Sequence, residues 1–231
     1  NITLPEVPVA KTMLNVGYSS LAKRYTGVVY PNAGTIEART TDKVLDRHFL
    51  VAHRHKLSLF DANVGASVFH EDRPRNEWIP RLNGSLFSKA NGYDGPGVGT
   101  GNGVFVIGSY GSWSWKNEGE KAMHTHTDAW VNWFQKNAAD TEYFLYLIDE
   151  STNTKEIEKW TIWMKSNPGV GRKLKSFATI PLPLAEKETS LLDIAGSWFV
   201  AGDTDQWENA VKSWKSNSSK MFSFSFLLFL L

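Results

Sequence analysis

Two carboxylates stand side by side at Asp149-Glu150, closing the run Glu142-Tyr-Phe-Leu-Tyr-Leu-Ile-Asp-Glu-Ser151. Adjacent acids can divide the work of acid–base catalysis: one exchanges a proton while the other faces developing positive charge. Ahead of them, Tyr143 to Ile148 is an unbroken stretch of aromatic and branched apolar residues. Such a stretch reads as a strand buried on both faces, the kind found in parallel sheets. Behind them, Ser151-Thr-Asn-Thr154 is loop and helix-cap material. Acids at the C-terminal end of a buried parallel strand occupy the position where α/β barrels carry their chemistry. The plainer reading is that they only cap the next helix, and spacing alone leaves the two readings level.

Other polar and aromatic residues fall at expected strand exits. They are Tyr18, Asp61, Asn63, Tyr110 and Trp198, with Trp113 and Trp115 in the loop after the third strand. Carboxylates, aromatic rings and an amide, without sets of histidine or cysteine ligands, suit cleavage of a glycosidic bond. One acid must protonate the leaving oxygen from a partly apolar pocket that raises its pKa. In a retaining pair with an enzyme nucleophile, the carboxyl groups lie about 5 Å apart across the sugar, usually on different strands. Sequence neighbours cannot easily flank the bond in that way. They can serve where the substrate supplies its own nucleophile, a 2-acetamido oxygen that one acid orients while the other donates the proton. Consecutive strand residues face opposite sides of a sheet. Asp149 and Glu150 therefore share a cleft only if the chain leaves strand geometry between them.

The elements that must position these residues alternate. Strands are expected over Thr12–Tyr18, Leu57–Phe60, Val104–Tyr110, Tyr143–Ile148, Leu174–Ile180 and Leu192–Trp198, with a seventh from Met221. After Thr41 a helix should bury Val44, Leu45, His48, Phe49 and Ala52. His53-Arg-His55 would close it with positive charge at its C-terminal dipole end. A helix from Glu120 to Asn137 should bury Ala122, His126, Ala129, Trp130, Trp133 and Phe134. His124 and His126 are two apart, so a helix does not aim both at one metal. A third helix, capped by Asn153 or Thr154, should turn Ile157, Trp160, Thr161 and Met164 inward until Asn167-Pro-Gly169 stops it. A fourth, capped by Asp203, should bury Trp207, Ala210, Val211 and Trp214. The long irregular stretch Val64–Gly103 ends in the glycine-rich run Asn91-Gly-Tyr-Asp-Gly-Pro-Gly-Val-Gly-Thr-Gly-Asn-Gly103. A loop of that length in a compact domain is usually functional. It is no phosphate cradle, because no Gly-Lys-Ser/Thr follows and it leads into a strand.

Repeated strand–helix units imply an α/β fold with right-handed crossovers in a parallel sheet. Seven strands favour a (β/α)8 TIM barrel over a doubly wound sheet. A complete barrel takes about 250 residues, so 231 suggests one that is incomplete at the C-terminus. Residues 1–11 read as a linker from an upstream domain and 12–231 as the partial barrel. The apolar end, Met221 to Leu231, is too short to span a bilayer as a helix.

A net charge of +1 gives no electrostatic argument for nucleic acid or an anionic membrane. The absence of cysteine excludes disulfides and thiolate metal sites. No metal or cofactor is expected. Ten tryptophans and thirteen phenylalanines suit the faces of sugars, although large cores also consume aromatics.

Three stretches together carry a resemblance to a known family: Phe144-Leu-Tyr-Leu-Ile-Asp-Glu150, Gly92-Tyr-Asp-Gly-Pro-Gly-Val-Gly-Thr-Gly-Asn102 and Ala52-His-Arg54. They look like the catalytic barrel of glycoside hydrolase family 123 and its uncharacterised relatives, over about residues 12 to 220. The resemblance implies a glycosidase acting on N-acetyl-β-galactosaminides by substrate-assisted retention. Glu150 would be acid/base, and Asp149 would orient and stabilise the acetamido group. The partner would be a carbohydrate substrate, and a polysaccharide-degrading role would favour a periplasmic or secreted location. Two other readings stand beside it: a carbohydrate-binding or structural barrel with a degenerate site, and a barrel lyase or isomerase using Glu150 as a base.

Overall fold

A computed structural model describes residues 42–61 and 72–197, the strands Met13–Val16 and Met221–Phe224, and helical residues 205, 208–209 and 212–213. The architecture is α/β. Among the described residues the strands are β1 Met13–Val16, β2 Ser58–Asp61, β3 Val104–Ile107, β4 Glu142–Ile148, β5 Lys175–Thr179, β6 Ile194–Ser197 and β7 Met221–Phe224. The α-helices are α1 Asp42–Arg54, α2 Ile79–Leu82, α3 Glu120–Asn137, α4 Thr154–Ser166 and α5 Leu182–Glu188. The chain forms two compact units, Asn1–Ser109 with Trp133–Tyr143, and Tyr110–Asn132 with Phe144–Leu231.

In the first unit β1 and β2 pair in parallel, with Val16 opposite Asp61. Helix α1 buries Phe49, Ala52 and His53. The stretch leading to β3 is ordered by packing. Trp78 sets its ring edge-on between Phe49 and Phe105, at 5.2 and 5.1 Å. The buried Arg81 guanidinium lies 4.3 Å over the Phe49 ring and 3.0 Å from Asp46. The glycine-rich run folds backbone against backbone. A Cβ on Gly101 would stand 1.8 Å from the Leu82 carbonyl oxygen, and one on Gly84 would stand 2.1 Å from that of Gly99. The run then fastens to the start of β2: Asn102 Nδ2 donates to Leu59 O at 2.9 Å, and Gly103 N donates to Ser58 Oγ at 2.8 Å.

This loop also changes the reading of His53-Arg-His55. Arg54 is exposed and pairs with Asp94 at 2.6 Å. His53 is fully buried and stacks on Phe87 at 3.7 Å, with Nε2 at 3.0 Å from Gly97 O. Burial pushes its pKa below the ordinary histidine value. His53 is thus a neutral packing residue under the glycine-rich loop and not a terminal positive charge.

The second unit holds a parallel sheet, with β4 beside β5, β5 beside β6 and β6 beside β7. Phe144 to Leu147 are all buried, as a strand covered on both faces requires. Helix α4 follows the expected pattern closely. Asn153 accepts from Glu156 N at 3.2 Å, Asn153 Nδ2 reaches back to the Glu156 carboxylate at 3.1 Å, and Ile157, Trp160, Thr161 and Met164 are buried. Asp193 clamps the beginnings of β5 and β6 to α4. It receives Lys165 Nζ at 2.8 Å to each oxygen, and Ser176 N and Oγ, both at 2.8 Å.

Two expectations need correction. Helix α3 has the expected bounds, but its fully buried residues are Met123, Thr127, Trp130, Val131 and Phe134. Ala122, His126, Ala129 and Trp133 lie on the half-covered flank. Using alanines as apolar markers rotated the stripe by one residue; Thr127 is accommodated because its hydroxyl donates to Met123 O at 2.7 Å. Secondly, Pro181-Leu-Pro183 does not merely end a strand. It begins α5, where prolines suit a first turn whose N–H groups have no partner within the helix. Among the described residues, strands begin or end one to three residues inside several expected limits, Val104–Ile107 and Lys175–Thr179 among them. Trp207, Ala210, Val211 and Trp214 lie outside the residues whose side chains are described.

Candidate functional site

The site grows from an irregularity in β4. Tyr146 pairs with Phe177 on β5, but the next pair is Ile148 with Ala178, so β4 carries one extra residue. In a regular strand, residues three apart face opposite sides; one bulged residue puts them on the same side. The bulge therefore turns Asp149 to the side of Tyr146. Its backbone is supported from the loop after β3: Trp113 Nε1 donates to Leu147 O at 3.0 Å, and a Cβ on Gly111 would stand 3.0 Å from that oxygen.

Asp149 is then held by two hydroxyls. Tyr146 OH donates to Oδ1 at 2.5 Å, and Thr179 Oγ1, from the end of β5, donates to the same oxygen at 2.9 Å. Tyr146 OH and Thr179 Oγ1 also lie against one another. Both donors are buried, at 7% and 6% exposure, and Asp149 is half-buried. Burial, followed by the bond to Asp149, pushes the Tyr146 phenol far above the ordinary tyrosine range. It therefore stays a proton-bearing donor. Its ring meets Phe177 edge-on at 4.5 Å and Tyr110 at 5.9 Å.

Glu150 follows in a left-handed conformation, φ 45°. Tyr110, after β3, has φ 55°. A non-glycine residue held there costs on the order of 1–3 kcal/mol, and such strain gathers at functional sites. The turn at Glu150 takes the carboxylate pair out of strand geometry, which adjacency required. Ser151 N then donates to Thr179 O at 3.3 Å, closing the turn. The Glu150 side chain is exposed. Among the described residues, the partly apolar pocket expected of a proton donor is not built around it.

Of the expected site residues, Asp149 is bonded to Tyr146, Tyr110 sets its ring 5.9 Å from that of Tyr146, and Glu150 follows Asp149 in the chain. Tyr146 and Thr179 join them without having been singled out in the sequence. Tyr146 was hidden in an apolar run, and in a regular strand its place three residues before Asp149 would put the two on opposite faces. Trp113 was expected in the cleft. At 3% exposure it packs against Trp115 and Trp160, with ring centroids 4.7 and 5.0 Å away, and its N–H serves the bulge. The ring is core and not a platform. Trp115, at 2% exposure, stacks on His126. Asp61 ends β2 in the first unit. Tyr18, Asn63 and Trp198 lie outside the described residues.

His124 turns to Trp163 O at 2.9 Å while His126 lies on Trp115, so the two imidazoles have separate partners. Among the described residues, no three His, Asp or Glu side chains gather closely enough to hold a metal ion. No described helix is long and apolar enough to cross a membrane. An open groove of about 580 Å³ runs along α4 between Lys155, Lys159, Trp163 and Glu188, and neither acid of the pair lines it. No protein-family model matches the chain, and no curated protein sequence matches it either.

Proposed function

We propose that this chain is a glycoside hydrolase acting on 2-acetamido sugars, N-acetyl-β-galactosaminidase-like, by substrate-assisted retention on a (β/α)8 barrel. Glu150 is its acid/base, and Asp149 orients the acetamido group. The observation that carries the reading is the turn at the end of β4. There a half-buried carboxylate, fixed by two hydroxyls, is followed at once by an exposed carboxylate in strained backbone. A fixed carboxylate acceptor suits an acetamido N–H and the cation that forms as the amide oxygen attacks the anomeric carbon. An exposed neighbour can reach the leaving oxygen once a sugar covers it. Tyr110, whose ring lies 5.9 Å from that of Tyr146, supplies an aromatic wall.

The exposure of Glu150 and the use of Trp113 for packing favour a second reading, a barrel that binds carbohydrate without cleaving it. Aryl 2-acetamido-glycosides separate the two. On the first reading the protein releases the phenol, and Glu150→Gln abolishes turnover while sugar binding persists. Binding without turnover in either form favours the second.

A further inference from the structure

We propose that Tyr146 and Thr179 are positioning residues which pin Oδ1 of Asp149 so that Oδ2 alone is presented to the substrate's acetamido N–H. The inference rests on the glycosidase reading and deepens it by assigning roles to two residues outside the carboxylate pair.

The terminal torsion of an aspartate is broad, so an unrestrained carboxylate presents either oxygen. Here both donors converge on Oδ1, and among the described residues no hydrogen bond reaches Oδ2. Neither donor can easily leave. The Tyr146 ring is boxed by Phe177 and Tyr110, and Thr179 is β-branched, stiff at χ1 and buried at the end of a paired strand. The same Thr179 receives Ser151 N on its carbonyl, so one residue anchors both the carboxylate and the turn that follows it. The β4 bulge is what makes the arrangement possible, because without it Tyr146 and Asp149 would face opposite sides of the sheet. A pinned acceptor is already oriented when positive charge develops, so its benefit appears in the transition state more than in ground-state binding.

The test is a set of variants in the full chain, assayed on an aryl 2-acetamido-glycoside. Tyr146→Phe and Thr179→Val should each lower kcat roughly tenfold to a hundredfold, the range of a hydrogen bond to a charged group, with KM nearly unchanged. Thr179→Ser, which keeps the hydroxyl, should restore most of the loss. In an Asp149→Asn background, Tyr146→Phe should cost no more than about twofold, because residues acting through one another are not additive. Full additivity in that background, or losses confined to KM, would overturn the positioning role. If the wild-type chain turns over no 2-acetamido-glycoside, the glycosidase reading falls, and a crystal structure of the Tyr146→Phe/Thr179→Val variant decides the positioning claim by itself. An Asp149 carboxylate that rotates away from its wild-type orientation supports pinning; one that stays in place overturns it.

Discussion

Tyr146 donates its phenolic proton to Asp149 Oδ1 at 2.5 Å, although Asp149 follows it by only three residues, just past the end of β4. A regular strand forbids that meeting, and the extra residue between Tyr146 and Ile148 permits it. Local irregularity in β4 thus creates the site, while the regular pairing of β4 with β5 brings Thr179 to the same carboxylate.

Activity should be confined to 2-acetamido sugars. Without an acetamido oxygen no nucleophile lies near the anomeric carbon, so 2-hydroxy equivalents should not react. Asp149→Asn should lower kcat by about a hundredfold or more while leaving binding nearly intact, since its charge acts chiefly as the oxazolinium-like cation forms. Steady-state kinetics on matched aryl glycosides check both; equal rates on acetamido and hydroxy substrates would refute substrate assistance.

Trp113→Phe should destabilise the protein by about 1–3 kcal/mol, because it strands the buried carbonyl of Leu147 without its indole donor. Urea unfolding measures the loss. A fall in kcat with unchanged KM should accompany it, since the bulge aims Asp149. A variant as stable and as active as the parent would remove Trp113 from this supporting role.

His53 makes stability depend on pH in a defined direction. Its native pKa lies below the unfolded value of 6.5, so the unfolded chain binds the extra proton first as pH falls. Its contribution is complete above that value and is progressively lost as pH drops through it towards the native one. His53→Phe keeps the stacking on Phe87 and has no proton to bind. Its melting temperature should therefore fall less steeply between about pH 6.5 and 5. Parallel slopes for parent and variant would show that His53 does not titrate as its burial requires.

Asp193→Ala should cost about 2–4 kcal/mol, because it leaves the Lys165 ammonium and Ser176 N–H without their shared acceptor at a poorly exposed position. Thermal or urea unfolding reads that loss. KM for the glycoside should stay unchanged, because this clamp joins strand beginnings while the carboxylate pair sits at a strand end. A stability change below about 0.5 kcal/mol would mean that solvent replaces these bonds freely.

Helix α4 was legible because local signals agree: a capping asparagine, a glutamate three residues on and an apolar stripe of correct period. Strand β4 and its terminal acids were legible for the same reason. The bulge was not, since it exists only in the register between β4 and β5 and leaves no mark on either strand alone. Thr179 lies thirty residues from Asp149 in the chain, and only the pairing of their strands joins them. Trp113 misled because an indole between glycine and serine residues looks like an exposed ring, whereas a bulged carbonyl nearby needs a buried donor. The rotation of α3 was lost because alanine tolerates a flank as readily as a core, while Thr127 hides its polarity in a bond to its own helix.

The meeting of Gly84 with Gly99 and of Gly101 with Leu82 bears on how relatives of this chain are to be recognised. The run 91–103 contains several glycines that a search would weigh alike, yet Gly92 and Gly99 look onto open space. At 84 and 101 a methyl group would overlap a carbonyl, whereas at 92 and 99 glycine is favoured by the backbone, φ 75° and 77°, which a side chain adopts at a cost on the order of 1–3 kcal/mol. A distant sequence that keeps glycine at the equivalents of 84 and 101 and places asparagine or aspartate at 92 and 99, which tolerate that backbone best, can still close this loop. One that keeps the glycine count but loses those two cannot, however similar it looks in alignment.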